Sequence, residues 1–389
     1  MAASVPLFRP GKCWSPTFEE TMTHKERLLT ALNHEEPDRV PMCARFTPEA
    51  EKKVLQHLGV ESDQTDMYKA AGGPLPILMD HDFLISWMGP CTSYYASPDD
   101  EYTDEWGIGW KWFRYGTEGS YTEMVRRPLA EITDPSEFSM PDFSKADRFA
   151  GVKQLISQYG NEYGIMAGVA CTLFELAWYL RGMETVLMDM VANKDFMHGY
   201  LDRLMHWIEV AGRTFVKLGV DIIWIGDDFG TQDRMLIKPE LFREFFKPRY
   251  AKLFQEWKTI NPNVKIAFHS DGYIYPIIGD LIEVGLDILN PVQPKSMDPA
   301  KIKKEFGKHL TLWGTVDIQE VLPFGTPTDV ANEVKLRVRT AGKGGGLIIA
   351  PAHNIQAQVP LENILAFYNA VKEYGRYPIR EDLDSPSGS

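Results

Sequence analysis

Three side chains that commonly bind metal ions follow two predicted strands of this 389-residue chain. His269 and Asp271 stand two residues apart at a strand exit, and Gly272 permits a sharp turn there that directs both side chains inward. His353 follows the last predicted strand, which neighbours the first strand in a closed barrel. Two imidazoles and a carboxylate are ligands of catalytic zinc sites that keep one position open. The alternative is that each histidine only forms hydrogen bonds with neighbouring loops.

Two adjacent carboxylates, Asp227 and Asp228, follow another predicted strand directly after Gly226. At least one is expected to face the same pocket, as a further ligand, a general base or a group that orients a ligand histidine. Alternatively, one of them caps the following turn. Further polar residues at strand ends are candidates for binding the substrate, namely Asn290, Gln293 and Gln356.

The placement of these residues at strand ends rests on the pattern of the chain. Short β-rich runs alternate with stretches of helical length, and the alternation is regular from residue 163 onward. Strands are predicted at 40–46, within 77–88, and at 164–169, 221–225, 265–268, 287–290, 310–313 and 346–350. Helices are predicted at 25–33, 184–190, 196–218, 241–258, 275–284, 299–306, 328–341 and 361–374, and Pro248 should kink or break the one that contains it. Eight strands without a Gly-rich dinucleotide fingerprint indicate an α/β fold, the (β/α)8 TIM barrel, with the active site at the C-terminal strand ends.

The chain ends are predicted to lie outside this barrel. Residues 1–22 mix Pro, Gly and aromatic residues without a period, and Thr23 and Glu26 then form a capping box that begins the first helix. We therefore interpret residues 1–22 as an N-terminal arm, residues 23–380 as a single barrel domain and residues 381–389 as a disordered tail.

The segment 77–121 interrupts the alternation and is dense in aromatic residues. We interpret it as an elaborated hairpin or a lid over the barrel mouth. Its tryptophans Trp87, Trp106 and Trp110 are candidates for an apolar wall that binds an aromatic or weakly polar substrate. The alternative is a satellite hydrophobic cluster that serves packing alone.

Composition and charge exclude several classes of partner. The net charge of −13 and the isoelectric point near 5.2 argue against binding to nucleic acid or to anionic lipid. No apolar run approaches the length of a membrane span, so we expect no membrane segment and a cytoplasmic location. The four cysteines form no CxxC pair, which suits a reducing compartment.

Three blocks, between Thr23 and about Tyr377, resemble the uroporphyrinogen decarboxylase superfamily. They are Glu26-Arg27-Leu28 through Ala31-Leu32 to Pro37-Asp38-Arg39-Val40-Pro41, then Gly226-Asp227-Asp228-Phe229-Gly230-Thr231-Gln232 with Pro239-Glu240-Leu241-Phe242, and finally Pro351-Ala352-His353-Asn354-Ile355-Gln356 with Val359-Pro360 and Glu362-Asn363-Ile364. The resemblance implies a reaction from among tetrapyrrole decarboxylation, corrinoid-dependent methyl transfer and methyl transfer to coenzyme M.

The positions that matter for the reaction depart from two of the superfamily's patterns. The decarboxylases carry an Arg-Gln-Ala-Gly-Arg block that grips substrate carboxylates, and this chain has residues 42–48 in its place. The thiol-alkylating methyltransferases hold zinc with a His-x-Cys pair and a further Cys, and the matching positions here are His269, Asp271 and His353. Replacing both sulfurs by oxygen and nitrogen would leave a more Lewis-acidic zinc, which suits activation of an ether oxygen.

The resemblance therefore implies a methyltransferase of a corrinoid O-demethylation system. A methyl group would pass from a small methoxylated aromatic substrate to the cobalt of a corrinoid (cobalamin) carried by a partner protein. His269, Asp271 and His353 would bind Zn²⁺, and Asp227 or Asp228 would protonate or orient the reacting groups. His353 also matches a histidine of the metal-independent decarboxylases, so a decarboxylase or other lyase remains an alternative, as does a non-catalytic binding barrel. The oligomeric state is open, with a homodimer as one option.

Overall fold

Among the residues that the structure describes, ten strands form a parallel barrel sheet and a small antiparallel sheet. The computed structural model describes residues 21–60, 74–115, 119–134, 136 and 138–380. The strands are, in chain order, β1 (Phe83–Met88), β2 (Glu101–Thr103), β3 (Gly109–Tyr115), β4 (Gly119–Arg126), β5 (Gly164–Ala170), β6 (Ile222–Gly226), β7 (Lys265–His269), β8 (Ile288–Asn290), β9 (Thr311–Trp313) and β10 (Leu347–Ile348). β1 and then β5 to β10 pair in parallel and in that order, as consecutive β/α units require.

The segment 42–46 closes the barrel between β10 and β1. Met42 bridges Ile349 in parallel, and the amide of Asp82 donates to the carbonyl of Met42 at 3.0 Å. The predicted (β/α)8 barrel is therefore confirmed, but the predicted strand 40–46 consists of isolated bridges. One reason is that the amide of Met42 donates to the side chain of Asp82 at 2.7 Å and is lost to the β-ladder.

Fourteen α-helices are described, and most of them surround the barrel as predicted. They are α1 (His24–Leu32), α2 (Pro48–His57), α3 (Pro74–Leu78), α4 (Ala150–Tyr159), α5 (Phe174–Arg181), α6 (Met183–Ala192), α7 (Lys194–Leu218), α8 (Pro239–Phe245), α9 (Lys247–Ile260), α10 (Ile278–Glu283), α11 (Pro299–Phe306), α12 (Val321–Phe324), α13 (Pro327–Arg337) and α14 (Leu361–Tyr374). None of these helices is both long and apolar enough to cross a membrane.

The local signals at the helix ends behave as expected from the sequence. The capping box of Thr23 and Glu26 is present at the start of α1. The predicted helix 241–258 is broken into α8 and α9 at Phe246, so that Pro248 lies in the first turn of α9, where its missing N–H costs nothing. The predicted arm 1–22, apart from its last two residues, and the tail 381–389 lie outside the described residues.

Helix α5 was not predicted, although it lies directly after β5 at the barrel mouth. Seven of its eight residues are buried, so it has no polar face and gives no amphipathic period. Its position matters because Glu175 and Tyr179 lie on it. Helices α2, α3, α4 and α12 were also not predicted.

The antiparallel sheet β2–β3–β4 packs beside the C-terminal ends of the barrel strands. Trp110 of β3 contacts the ring of Tyr94, which follows β1, and the ring of Tyr179 on α5, with centroids 4.8 and 6.4 Å apart. The hydroxyl of Ser120 in β4 donates to Glu49 of α2 at 3.1 Å. This sheet therefore lies on the mouth side, whereas the first part of the predicted lid 77–121 belongs to α3 and β1.

Trp106 fixes this sheet to the helix layer. It lies between β2 and β3 and is 1% exposed. Its ring centroid is 5.6 Å from that of Trp207 on α7 and 5.4 Å from that of Phe143. These contacts are typical of packing between layers, and they join Trp106 to neither of the strand ends that carry the metal-ligand candidates.

Trp106→Phe is expected to lower the free energy of unfolding by about 1–3 kcal/mol, because it leaves a partly empty site in a buried aromatic cluster. The Michaelis constant for substrate should not change. Denaturant unfolding and steady-state kinetics measure the two quantities. Phe113→Leu, in the same sheet but 36% exposed, is the control and should leave both unchanged. A higher Michaelis constant at unchanged stability would show that Trp106 contacts the substrate.

A buried ion network lies at the opposite, N-terminal end of the barrel. Asp82 precedes β1 and accepts hydrogen bonds from Nη1 of Arg27 and from Nη1 of Arg39, each at 2.8 Å. The side chains of Asp82 and Arg27 have no exposed surface. Arg27 also donates to Asp38 from Nε at 2.6 Å. One carboxylate thus joins α1, the segment after it and β1.

Candidate metal centre

His269, Asp271 and His353 converge at the barrel mouth as predicted. One ligand atom from each residue lies within 4.8 Å of the ligand atoms of the other two. Nε2 of His269 is 3.8 Å from Oδ1 of Asp271, and Nε2 of His353 is 3.5 Å from Oδ2 of Asp271. His269 is the last residue of β7, and Gly272 turns the chain with a φ of +78°. A Cβ on Gly272 would lie 2.3 Å from the carbonyl oxygen of Thr231, so this turn requires glycine.

Hydrogen bonds fix the orientation and the tautomer of His269. Its Nδ1 is 2.8 Å from Oδ1 of Asn290, which also accepts from Nε1 of Trp224 at 3.1 Å. The amide nitrogen of Asn290 donates to the carbonyl of Trp313, so the amide oxygen faces the two rings. Because an amide oxygen only accepts, Nδ1 of His269 carries the proton and Nε2 presents its lone pair to the carboxylates. A metal-binding histidine commonly has this arrangement.

The protonation states also suit a cation. Burial lowers the pKa of His269 to about 4, and burial together with the charge of Arg45 lowers the pKa of His353. Both imidazoles are therefore neutral near neutral pH, which is the form that binds metals. Oδ1 of Asp271 is buried and accepts no hydrogen bond from any described residue. An orphaned carboxylate oxygen beside two neutral imidazoles fits a divalent cation such as Zn²⁺.

The structure separates the roles of the two adjacent aspartates. Asp227 has no exposed surface, and its carboxylate accepts hydrogen bonds that hold the start of α5. The donors are the hydroxyl of Thr172, the amides of Leu173 and Glu175 and the hydroxyl of Tyr250. With this many donors, Asp227 has a structural role and is not available to a substrate.

Asp228 faces the cluster instead. Its Oδ1 accepts from the amide of Asp271 at 2.8 Å and lies 3.8 Å from Nε2 of His269. Burial raises the pKa of Asp228, and the charge of Asp227 adds to the effect. Of the two predicted catalytic residues, Asp228 is therefore the one beside the metal-ligand candidates.

The predicted substrate-binding residues lie at different distances from the cluster. Asn290 orients His269, as described above, and the side-chain oxygen of Gln293 accepts from the amide of Gly272 at 2.5 Å and supports the ligand turn. Gln356 accepts from the side-chain amide of Gln358 at 2.9 Å, and no described contact joins it to the cluster. The ring of Trp87 is 5.0 Å from that of Trp224, whose centroid is in turn 4.8 Å from that of His269, with the two rings tilted by 47°.

Two residues beside the cluster were missed as site candidates. Trp224 in β6 lies between Trp87 and His269, and the guanidinium carbon of Arg45 is 5.4 Å from its ring centroid and 5.3 Å from that of Trp87. The signal for Arg45 was its place at the C-terminal end of the first predicted strand, 40–46, where the strand-end rule applies. Trp224 lies within a strand and gave no such signal.

Asn290→Ala is expected to weaken zinc binding by about 10–100-fold, because it removes the acceptor that fixes the tautomer of His269. Titration of the metal-free protein with zinc against a competing chelator measures this change. Asn263→Ala, at an exposed loop position, is the control and should bind zinc as the wild type does. An unchanged affinity in Asn290→Ala would mean that His269 is not a ligand.

Comparison with known proteins agrees with this fold. A methylated-thiol–coenzyme M methyltransferase of Methanosarcina mazei is 24% identical over 260 residues, which is 64% of this chain and 66% of the relative. A methylcobamide:CoM methyltransferase MtaA of Methanosarcina barkeri is 27% identical over 205 residues, 50% of this chain and 57% of the relative. A uroporphyrinogen decarboxylase of Coxiella burnetii is 21% identical over 265 residues, 64% of this chain and 70% of the relative. The chain thus spans less than two thirds of the length of the first two relatives.

A solved structure of a methyltransferase from Methanosarcina mazei has the same fold. Its TM-score is 0.68 at 22% sequence identity, and the match covers 91% of this chain and all but 1% of that one. The family described as uroporphyrinogen decarboxylase (URO-D) matches residues 114–374, a range that contains the central and final blocks noted in the sequence. Because this match spans well over half of the chain, the protein belongs to the uroporphyrinogen decarboxylase family.

Proposed function

We propose that the protein is a methyltransferase that moves a methyl group from a methoxylated aromatic substrate to the cobalt of a corrinoid on a partner protein. The observation that carries this proposal is the sulfur-free cluster of His269, Asp271 and His353, in which an orphaned carboxylate oxygen faces two neutral imidazoles. The methyltransferases among the relatives support the class of reaction. The methyl donor is inferred from the ligand types and from the aromatic residues beside them.

These three residues would hold Zn²⁺, and Asp228 would stay beside it. Zinc held by nitrogen and oxygen ligands supplies a Lewis acid that draws electron density from an ether oxygen. The protein's own part is to keep both imidazoles neutral, to fix His269 through Asn290 and to hold the ligand turn through Gln293.

An aromatic substrate is supported by the wall next to His269. The rings of Trp87 and Trp224 meet at 88°, and Arg45 lies over both of them. Such a wall offers flat apolar surface for a ring and positive charge at its edge. Trp224 itself is 2% exposed, so a methoxylated ring would lie against Trp87, which is half-buried.

The charges at the mouth disfavour the decarboxylase alternative. Asp228 and Asp271 lie within electrostatic range of each other, and the charge of Asp228 raises the pKa of Asp271. A tetrapyrrole with many carboxylates would be repelled by this group, and Arg45 is the cation whose charge acts on Asp228 and Asp271. The site therefore suits a substrate of low negative charge.

The test supplies a panel of methoxylated aromatics and a corrinoid protein reduced to cob(I)alamin. We expect methylcobalamin, seen in the corrin absorption, and an equivalent amount of the free phenol. Uroporphyrinogen should remain unchanged in a parallel assay. Metal-free protein is the matched control and should transfer no methyl group until zinc is restored. Loss of carbon dioxide from a tetrapyrrole, with no transfer from any methoxylated aromatic, would instead identify a decarboxylase.

A further inference from the structure

A series of hydrogen-bonded carboxyl and hydroxyl groups leads from Glu175 at the barrel mouth to Tyr94, which lies between β1 and β2. The hydroxyl of Tyr179 donates to Oε1 of Glu175 at 2.9 Å, and the hydroxyl of Tyr94 is 2.5 Å from that of Tyr179. Glu175 and Tyr179 are 8% and 1% exposed, while Tyr94 is half-buried. These hydrogen bonds therefore connect a buried carboxyl group to a residue that is partly exposed to solvent. Neither the metal centre nor the packing of the fold accounts for this connection.

The start of α5 holds Glu175 close to the metal centre. The amide of Glu175 donates to Oδ1 of Asp227 at 2.9 Å, so Glu175 is fixed next to the end of β6, where Asp228 follows. Between β5 and α5, Cys171 has a φ of +59°, which residues other than glycine seldom adopt, and its sulfur is 3.4 Å from the hydroxyl of Tyr179. The backbone is thus strained at the point that directs α5 and its two polar side chains towards the mouth.

The surroundings of Glu175 keep its carboxyl group protonated. Burial raises the pKa of Glu175 well above its usual range, and the charges of Asp228, Asp227 and Asp271 add to this effect. The hydrogen bond from Tyr179 acts in the opposite direction but is the weaker influence. Asp228 differs because it accepts an N–H bond from Asp271 and feels the positive charge of Arg45, both of which favour its ionised form.

We infer that Glu175 donates the proton to the oxygen atom that loses its methyl group and that Tyr179 and Tyr94 return a proton to it from solvent. This inference rests on the proposed methyl transfer. The carbon–oxygen bond breaks with its electron pair on oxygen, which takes the proton of Glu175, while the electron pair of cobalt(I) forms the cobalt–carbon bond. The carboxylate left on Glu175 then receives a proton through Tyr179 and Tyr94 from water. The products are a neutral phenol and a methylated corrinoid.

The first test measures kcat while the acidity of the leaving phenol is varied. In Glu175→Gln, kcat should fall by about 100-fold or more with donors whose phenols are weak acids, because their oxygen needs a proton as it leaves. With nitro-substituted donors, whose phenols are strong acids, kcat should remain near that of the wild type. Glutamine still accepts the hydrogen bond from Tyr179, so the helix keeps its contacts. An equal loss with both kinds of donor would show a structural role and overturn the inference.

The relay has its own matched pair of variants. Tyr179→Phe removes the hydroxyl that connects Glu175 to Tyr94 and should slow repeated turnover more than the first turnover. Tyr200→Phe is the control. The hydroxyl of Tyr200 is as buried as that of Tyr179, and it donates to the carbonyl of Ala177 on α5, the helix that carries Tyr179. This control should behave as the wild type. Equal behaviour of the two variants would contradict the relay.

An infrared measurement tests Glu175 without any turnover. At neutral pH the wild type should show the carbonyl stretch of a protonated carboxylic acid, and the band should disappear in Glu175→Gln but persist in Tyr200→Phe. A wild type without this band would overturn the inference whichever methyl donor the enzyme uses. If the band is present but no methoxylated aromatic donates a methyl group, the proposed donor is wrong and the protonated Glu175 still stands.

Discussion

His353→Ala is expected to weaken zinc binding by more than about 100-fold and to abolish methyl transfer. Loss of a residue that only orients a ligand costs about 10–100-fold in affinity, so loss of a ligand itself should cost more. His353 lies 3.5 Å from Asp271 through Nε2, and no other imidazole among the described residues is grouped with His269 and Asp271. Metal analysis after dialysis and titration against a chelator measure the loss.

Two further variants test whether the loss of zinc and activity is specific to the metal-ligand candidates. His309→Ala changes an exposed histidine and should keep both zinc and activity. Asp271→Cys should keep part of the metal yet lose turnover, because thiolate donation weakens the Lewis acid. Full zinc occupancy in both His269→Ala and His353→Ala would mean that the cluster is a hydrogen-bonded group and that the metal-centre hypothesis is wrong.

The strand-end rule explains how much of this site the sequence could predict. His269, Asp271 and His353 were found because each follows a recognisable strand, and parallel strands bring such positions to one rim. The rule could not choose between Asp227 and Asp228, because adjacent residues at a strand exit face different directions. Only the donors around Asp227, most of which lie at or just before the start of the unpredicted helix α5, indicate that it is structural.

The fold shows a related limit. Strands and helices with a clear period were predicted to within a few residues, but α5 is buried on nearly every side and therefore carries no period. The segment 40–46 was predicted as a continuous strand because an extended run there helps to complete the count of eight strands. Its backbone instead divides its hydrogen bonds between β10 and the side chain of Asp82, which no pattern local to the segment could show.

Substitution of Asp82 is expected to cause a large loss of stability. Its two carboxylate oxygens accept from Arg27, Arg39 and the amide of Met42, all within 2.8 Å and without exposed surface on Asp82. Asp82→Asn keeps the shape of the side chain but removes the charge that balances two buried guanidinium groups. Removing one partner of a buried ion pair costs about 3–5 kcal/mol, and Asp82→Asn should lower the free energy of unfolding by that amount.

Denaturant unfolding checks this value, and Glu101→Gln is the control because its ion pair with Lys111 is exposed and its loss should leave the unfolding midpoint unchanged. The folded fraction of Asp82→Asn should still bind zinc with the affinity of the wild type, because Asp82 lies before β1 and the metal-ligand candidates lie at the other ends of the strands. Weaker zinc binding at unchanged stability would contradict this division, in which the N-terminal rim of the barrel supplies stability and the C-terminal rim supplies chemistry.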